Sequence, residues 1–213
     1  MIATKKEAEA IAGTLSKPGK MPCHATSIPA SKCKTGAKLV KVKNSVCFGC
    51  YALDGHYRFS NVQNALQRRL DGITHPDWVD AMVTLITATK NDHFRWHDSG
   101  DINSLDHLKN IVSVCVHTPE VNHWLPTRDY KFVAQYRKLH GNFPGNLTVR
   151  LSTHMIDKPP IKFRPIPGLS TLPTSTVVTT SDYTCKSSDQ GNKCLDCRDC
   201  WNSTIRNISY RYH

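Results

Sequence analysis

Cysteine placement constrains this chain more than any other feature. Eight of its nine cysteines fall into two groups of four, one near each end of the 213 residues: Cys23, Cys33, Cys47 and Cys50, then Cys185, Cys194, Cys197 and Cys200. In the second group, two residues separate Cys194 from Cys197 and Cys197 from Cys200, the spacing with which a short loop wraps an iron–sulfur cluster. Each group has enough thiolates for a four-coordinate site, so the sequence predicts two metal centres.

A disulfide framework is the alternative interpretation, and it requires an oxidising compartment. The N-terminus alternates charged and small residues without the apolar stretch of a secretory leader, and no stretch approaches the roughly 18 apolar residues of a membrane span. We therefore expect reduced thiols that bind metal in a cytoplasm, and no contact with a membrane. The ninth cysteine, Cys115, lies on the apolar face of a predicted helix and is expected to be a buried, inert thiol.

The identity of the metal depends on how the cysteines are spaced. Structural zinc usually takes its cysteines as two separated C-x2-C pairs. The C-terminal group differs, because three thiolates within seven residues can bind three corners of a cubane, which is larger than a single ion. We favour two iron–sulfur clusters of the 4Fe-4S type, and zinc is the alternative for either group.

The net charge of +11 and a pI near 9.3 are typical of proteins that bind a polyanion such as nucleic acid. Metal sites weaken this inference, because four thiolates around zinc or an oxidised cluster leave roughly two negative charges per site. Five lysines lie between the N-terminal cysteines: Lys32, Lys34, Lys38, Lys41 and Lys43. They could neutralise thiolates and steer a small anionic ligand or redox partner, or they could form a nucleic-acid patch.

Hydrophobic periodicity predicts an α/β fold in a single domain over residues 1–213. Residues 16–55 form an irregular N-terminal metal loop, 56–182 the α/β core, and 183–213 a C-terminal metal segment. Helices are predicted at 3–15, 56–71, 77–90, 104–117 and 129–139, and strands at 94–97, 123–128, 146–152 and 175–180. Five prolines make 158–173 a loop. This alternation indicates a parallel sheet or a partial (β/α) barrel, with cysteine-rich metal-binding loops at both ends.

Polar residues follow each predicted strand, where parallel sheets place their chemistry. A tentative catalytic or ligand pocket is predicted from His97, Asp98, Asp101, Arg128 and Arg150. His97 beside Asp98 could transfer protons, and the two guanidinium groups could each hold a carboxylate or phosphate through two bonds. The structural alternative is that these residues cap helices and pair with one another, as Ser181 and Asp182 are expected to do.

Six ordered motifs resemble those of a bacteriophage family called the gene product 88 domain, from about residue 14 to the end. They are Gly19-Lys-Met-Pro-Cys23, Ser45-Val-Cys-Phe-Gly-Cys-Tyr-Ala52, Arg95-Trp-His-Asp-Ser-Gly-Asp101, Trp124-Leu-Pro-Thr-Arg128, Val149-Arg-Leu-Ser152 and Cys194-x2-Cys197-x2-Cys200-Trp201. The resemblance implies a phage-encoded protein that is expressed in the cytoplasm of the infected bacterial host. It implies little about function.

A weaker resemblance of layout is to radical S-adenosylmethionine enzymes. Those enzymes are partial parallel barrels with a cysteine cluster after the first strand and a Gly-Gly-Glu-like turn after the second. Here Cys47 and Cys50 have matching spacing, and Asp101 is the counterpart of the acidic turn residue. The usual C-x3-C-x2-C run and a clear strand ahead of Cys47 are both missing from the sequence. S-adenosylmethionine is therefore a weakly supported cofactor.

Coordination number separates the possible functions. If all four N-terminal cysteines bind one cluster, the cluster is closed and would be structural or carry electrons. If only three bind it, one iron is open to a substrate, and a reductive or radical enzyme becomes plausible. The first hypothesis is an iron–sulfur protein for redox, electron-transfer or radical-type chemistry. The alternatives are a zinc-stabilised basic nucleic-acid-binding protein, and a metal-stapled module that binds a host protein.

Overall fold

The protein is described from a computed structural model, in which residues 4–162 and 168–212 are placed. The architecture is one open sheet of six parallel strands whose spatial order follows the chain order. The strands are β1 (His24–Thr26), β2 (His93–Trp96), β3 (Asn122–Thr127), β4 (Leu147–Ser152), β5 (Thr174–Val178) and β6 (Asn207–Arg211). This arrangement confirms the predicted α/β parallel sheet and is consistent with part of a (β/α) barrel.

In the described part of the chain, six α-helices accompany the sheet: α1 (Lys5–Ala12), α2 (Gly36–Leu39), α3 (Ser60–Gly72), α4 (Trp78–Ala88), α5 (Leu105–His117) and α6 (Tyr130–His140). Helix α1 begins with a capping box, in which Thr4 Oγ1 accepts from Glu7 N and Glu7 Oε2 accepts from Thr4 N. Ser104 caps α5 by accepting from the amide of His107 at 3.0 Å. Helices α5 and α6 connect β2 to β3 and β3 to β4, as parallel neighbours require.

Alternation along the strands divides the sheet into two faces. One face carries Phe94, Trp96, Leu125, Val149 and Leu151, which pack with the apolar sides of α4, α5 and α6 in the main core. The opposite face carries the intervening residues, and the C-terminal cysteine-rich segment between β5 and β6 lies over it. The sheet therefore has a helical layer on one side and the second cysteine group on the other.

Most predicted elements are present within a few residues of their expected bounds. The predicted helix at 56–71 is a short 3-10 turn at Gly55–Arg58 followed by α3. Strands β1 and β6 were not predicted, because β1 has only three residues and β6 is largely polar. Residue 3 of the first predicted helix and residues 163–167 of the proline-rich loop lie outside the described residues. Within 4–162 and 168–212, no helix is long and apolar enough to cross a bilayer.

Candidate metal centres

A long loop over residues 27–59 covers the carboxyl ends of β1 to β4. The amide of Ile28 donates to the carbonyl of Ser99 at 3.1 Å, just after β2. The amide of Val46 donates to the carbonyl of His154 at 2.9 Å, just after β4. This loop carries three of the N-terminal cysteines and holds them at the edge where parallel sheets usually bind ligands.

Cys33, Cys47 and Cys50 form what we call the carboxyl-edge thiol group. Gly36 lies between two of them, because a Cβ at this glycine would be 2.8 Å from the Sγ of Cys33 and 4.0 Å from the Sγ of Cys47. The amide of Gly36 donates to the Sγ of Cys33 at 3.4 Å. Amide donors to sulfur stabilise the thiolate form that a metal requires.

The charges around this group act on its thiols in opposite directions. Burial, with the nearby Asp101 carboxylate, raises the pKa of Cys33 to about 12. Burial also raises the pKa of Cys47, but the Arg128 guanidinium lowers it. Without metal Cys33 and Cys47 therefore hold their protons at neutral pH, and metal binding would have to release them.

Asp101 stabilises the turn that positions Arg128. Its carboxylate accepts from the Thr127 hydroxyl at 2.6 Å, the Arg128 amide at 2.8 Å and the Ile102 amide at 2.7 Å. The side chain is buried, and burial raises its pKa to about 6 despite these three donors. The Arg128 side chain donates through Nε to the Thr153 carbonyl at 3.2 Å. Asp101 and Arg128 thus lie together at the carboxyl edge, and their role as a ligand pocket stays a prediction.

The other two residues that follow β2 have different surroundings. His97 is buried with φ of +55°, and its ring packs edge-on against His107 at 5.3 Å. Neither ring nitrogen has a hydrogen-bond partner in the described part of the chain, and burial holds its pKa well below the usual value. Asp98 accepts from the Ser27 hydroxyl, which ties the loop to β2. The acid–base role of His97 stays a prediction.

Arg150 binds backbone rather than an open pocket. This fully buried side chain projects from β4 and donates to four carbonyl oxygens at 3.0 to 3.3 Å. The acceptors belong to Thr174, Asp199, Asn202 and Ile205. Arg150 therefore fastens the C-terminal cysteine-rich segment to the sheet, which is the structural alternative to the anion-binding role predicted for it.

Trp201 anchors the same segment. Its indole Nε1 donates to the Phe94 carbonyl at 2.9 Å, and its own carbonyl accepts from the Thr148 hydroxyl at 2.6 Å. The ring packs edge-on against Trp124 at 5.4 Å and His93 at 5.2 Å. These contacts place the preceding cysteines over β2 and β3.

The four C-terminal cysteines lie around this anchor, with Cys23 beside them. Cys23 is 1% exposed and belongs to an apolar cluster with Met21, Trp124 and Trp201, against which Cys194 and Cys200 pack. The Sγ of Cys200 is 3.4 Å from the Tyr210 hydroxyl, and that of Cys185 is 3.2 Å from the Ser187 hydroxyl. We call these five cysteines the C-terminal thiol group. Proximity in the chain had grouped Cys23 with Cys33, Cys47 and Cys50 instead.

Arg95 is a residue of this site that sequence reasoning missed. Its guanidinium stacks over the Trp124 ring at 4.7 Å, and Nη1 donates to the Met21 Sδ at 3.2 Å. Its positive charge lowers the pKa of Cys23 and of Cys200, although burial raises both to about 12. The alternation of Phe94, Arg95 and Trp96 was the available signal, since it puts one cation on the face opposite two core aromatics.

A cleft of about 440 Å³ opens beside the carboxyl-edge thiol group. It is lined by Phe48, Gly49, Cys50, Tyr51, Leu53, Asp54 and Arg58. Its volume is in the range of small-molecule sites, and its lining combines aromatic rings with an ion pair, in which Arg58 lies 3.8 Å from Asp54. Tyr51 also closes the loop onto β2 by donating its hydroxyl to the Asp98 carbonyl.

Metal binding can be judged from the donors and from their arrangement. All nine thiols are free, and Cys115 is buried as predicted. Across residues 4–162 and 168–212, no three His, Cys, Asp or Glu side chains are arranged so that they could hold a metal ion. The donors nevertheless suit soft metals, because each group consists of thiols without carboxylate or imidazole ligands.

Comparison with known proteins gives one informative result. No curated protein and no solved structure gives a significant match to the chain. The model of the family described as Gene product 88 matches residues 1–203, which is nearly the full length, and the motifs that suggested this family lie within or next to the two thiol groups. The chain belongs to the bacteriophage gene product 88 family.

Proposed function

We propose that this chain is an iron–sulfur protein with two cysteine-ligated clusters, which acts in redox, electron-transfer or radical-type chemistry in the cytoplasm of the infected host. The observation that supports the proposal is the set of eight free cysteines, of which three lie on the loop at the carboxyl edge and five lie at the C-terminal segment. Such clusters would supply one-electron chemistry when bound.

The protein's own residues support this use in three ways. The Arg128 and Arg95 guanidinium groups lower the pKa of nearby thiols and would stabilise thiolates. Burial of Cys23 and Cys47 would limit contact of the sulfur atoms with solvent. The amide of Gly36 would remain a donor to the Cys33 sulfur.

The cleft beside Cys50 favours an enzyme over a pure electron carrier. A substrate needs room within reach of the metal, which this surface cleft supplies, whereas an electron carrier does not need it. Arg128 near Cys47 would favour an anionic or carboxylate-bearing ligand, while Arg58 in the cleft already pairs with Asp54. S-adenosylmethionine carries such a carboxylate, and we propose it as one ligand to test. A cluster spectrum that does not change when it is added to reduced protein would favour electron transfer.

The deciding experiment is a metal and acid-labile sulfide analysis of protein that is expressed with added iron and purified without air. The proposal predicts brown protein that contains iron and sulfide at several atoms per chain. A preparation with zinc and no sulfide, or with no metal at all, would reject it.

A zinc-stabilised nucleic-acid-binding protein is the second candidate. Lys32, Lys34, Lys38, Lys41 and Lys43 are all exposed on the loop at the carboxyl edge, and this cluster of charge favours a polyanion. Binding would then weaken steeply with salt, because each phosphate contact releases counterions. No retention on DNA or heparin columns at low salt would exclude this function.

A further inference from the structure

We infer that Cys23 is a ligand of the C-terminal metal centre, together with Cys185, Cys194 and Cys200, and that Cys197 is dispensable. The carboxyl-edge centre is then held by Cys33, Cys47 and Cys50 alone. This inference rests on the proposed function only in requiring that both thiol groups bind metal.

The topology of the sheet separates Cys23 from the other N-terminal cysteines. Cys23 immediately precedes β1 and therefore lies at the amino end of the sheet, whereas Cys33, Cys47 and Cys50 follow β1 and lie at its carboxyl end. Three strand residues span about 10 Å. One cluster cannot bridge the two ends of a strand, so the chain itself divides the first four cysteines into one and three.

Packing places Cys23 within the C-terminal group. Cys194 and Cys200 pack on the cluster that contains Cys23, and the Cys194 amide donates to the Lys20 carbonyl at 2.9 Å. The segment before β1 is thus hydrogen-bonded to the cysteine loop close to Cys23. The Cys194 thiol is also near enough for its charge to raise the pKa of Cys23.

Exposure distinguishes the five candidate ligands. Cys23 is buried, Cys185, Cys194 and Cys200 are partly buried, and Cys197 is the only exposed one. The shell around a metal site controls how far solvent reaches its ligands, and Cys197 is the one sulfur of the five that this shell does not cover. Cys197 is therefore the sulfur that the centre can lose.

The test compares two variants that remove one thiol each from the C-terminal group. The carboxyl-edge group is first removed by Cys33→Ser, Cys47→Ser and Cys50→Ser, so that only the C-terminal centre can bind metal. In this background Cys23→Ser should lose most of the remaining iron and sulfide, whereas Cys197→Ser should retain it. The reverse result would overturn the inference. Cys115→Ser is the control for replacing a buried thiol that binds nothing.

A second background tests the other half of the inference. With Cys185→Ser, Cys194→Ser and Cys200→Ser, only the carboxyl-edge centre remains, and adding Cys23→Ser should leave its metal content unchanged. Loss of that metal would show that Cys23 belongs to the N-terminal group. A wild-type protein without metal would instead reject the proposed function, so the two failures are distinguishable.

Selenocysteine gives a measurement that keeps the ligand in place if Cys23→Ser does not fold. Selenium X-ray absorption of Cys23→Sec should show an iron neighbour in the first background, which keeps the C-terminal thiols. It should show none in the second background, which keeps only the carboxyl-edge thiols. An iron neighbour only in the second background would contradict the assignment.

Because only Cys33, Cys47 and Cys50 hold the carboxyl-edge centre, one iron of a four-iron cluster there would have no cysteine ligand. In the second background, cyanide added to the reduced protein should shift the electron paramagnetic resonance spectrum of the remaining cluster. A spectrum unchanged at saturating cyanide would show that a fourth protein ligand closes this centre and would overturn the three-cysteine assignment.

Discussion

Replacing Arg150 by methionine should destabilise the fold through the C-terminal segment rather than through the sheet. The guanidinium is the only donor side chain that links β4 to Asp199, Asn202 and Ile205, as far as the described residues show, and it also holds the Thr174 carbonyl. Methionine has a similar length but donates nothing, so four carbonyl oxygens in buried or part-buried hydrogen bonds would lose this partner.

The magnitude follows from those four acceptors. An unsatisfied buried acceptor costs about 1–3 kcal/mol. Burial lowers the pKa of Arg150, which indicates that the buried cation carries its own cost, and Arg150→Met removes that cost. The Asp199 and Asn202 carbonyls keep the Asn202 and Ile205 amides as donors. We therefore count about 1 kcal/mol for each of the Thr174 and Ile205 carbonyls, which gives a loss of about 2 kcal/mol in the free energy of unfolding. For a chain of this size the melting temperature should fall by about 4–8 °C.

Urea denaturation followed by circular dichroism would measure this change, with metal content determined on the same samples. Arg128→Met is the matched control, because its guanidinium makes one side-chain hydrogen bond, to the Thr153 carbonyl. It should cost about 1 kcal/mol. If Arg150→Met costs less than Arg128→Met, or retains all metal with an unchanged melting temperature, then the anchoring role of Arg150 is wrong.

Three further changes test other parts of the structure. Gly72→Ala places a Cβ 2.2 Å from a backbone carbonyl oxygen of α1 and should cost about 1–3 kcal/mol in urea unfolding, whereas Gly19→Ala meets nothing within 4 Å and should be neutral. Gly36→Ala places a Cβ 2.8 Å from the Cys33 Sγ and should lower the metal content per chain, with little change in far-ultraviolet circular dichroism. Burial raises the pKa of Asp101 from 3.8 to about 6 in the folded protein. The protonated carboxyl therefore stabilises the fold fully below pH 3.8, and this stabilisation is lost as the pH rises through 6. The free energy of unfolding of wild type, relative to that of Asp101→Asn, should therefore fall by about 3 kcal/mol between about pH 4 and about pH 7. A difference that does not depend on pH would contradict the raised pKa of Asp101.

The middle of the fold could be predicted because its signals are local. Helices α4 and α5 repeat apolar residues at helical spacing, and β4 and β5 are rich in β-branched residues, so element type and order follow from periodicity. Strands β1 and β6 carry no such signal. They are strands because β2 and β5 offer backbone donors and acceptors to pair with, which is a tertiary effect.

The site was predicted less completely, for the same reason. Cysteine spacing indicates ligands that are close in sequence, such as Cys47 and Cys50, but not which end of a strand each occupies. Cys23 and Cys33 are separated in space by β1, a three-residue strand that no pattern reveals. The part played by Arg150 depends on a loop that is distant in sequence, so only the folded structure could distinguish anchoring from ligand capture.

The hydrogen bond between Lys20 and Cys194 also determines when each part of the protein can fold during synthesis. The segment that contains Lys20 leaves the ribosome long before Cys194. At a synthesis rate of 5–20 residues per second, the interval between them is roughly ten to thirty seconds. During that interval Cys23 is an unpartnered thiol on a nascent chain. The contact of the early segment with Cys194 can therefore form only once residue 194 has emerged, while the loop over residues 27–59 can settle as soon as β4 has emerged.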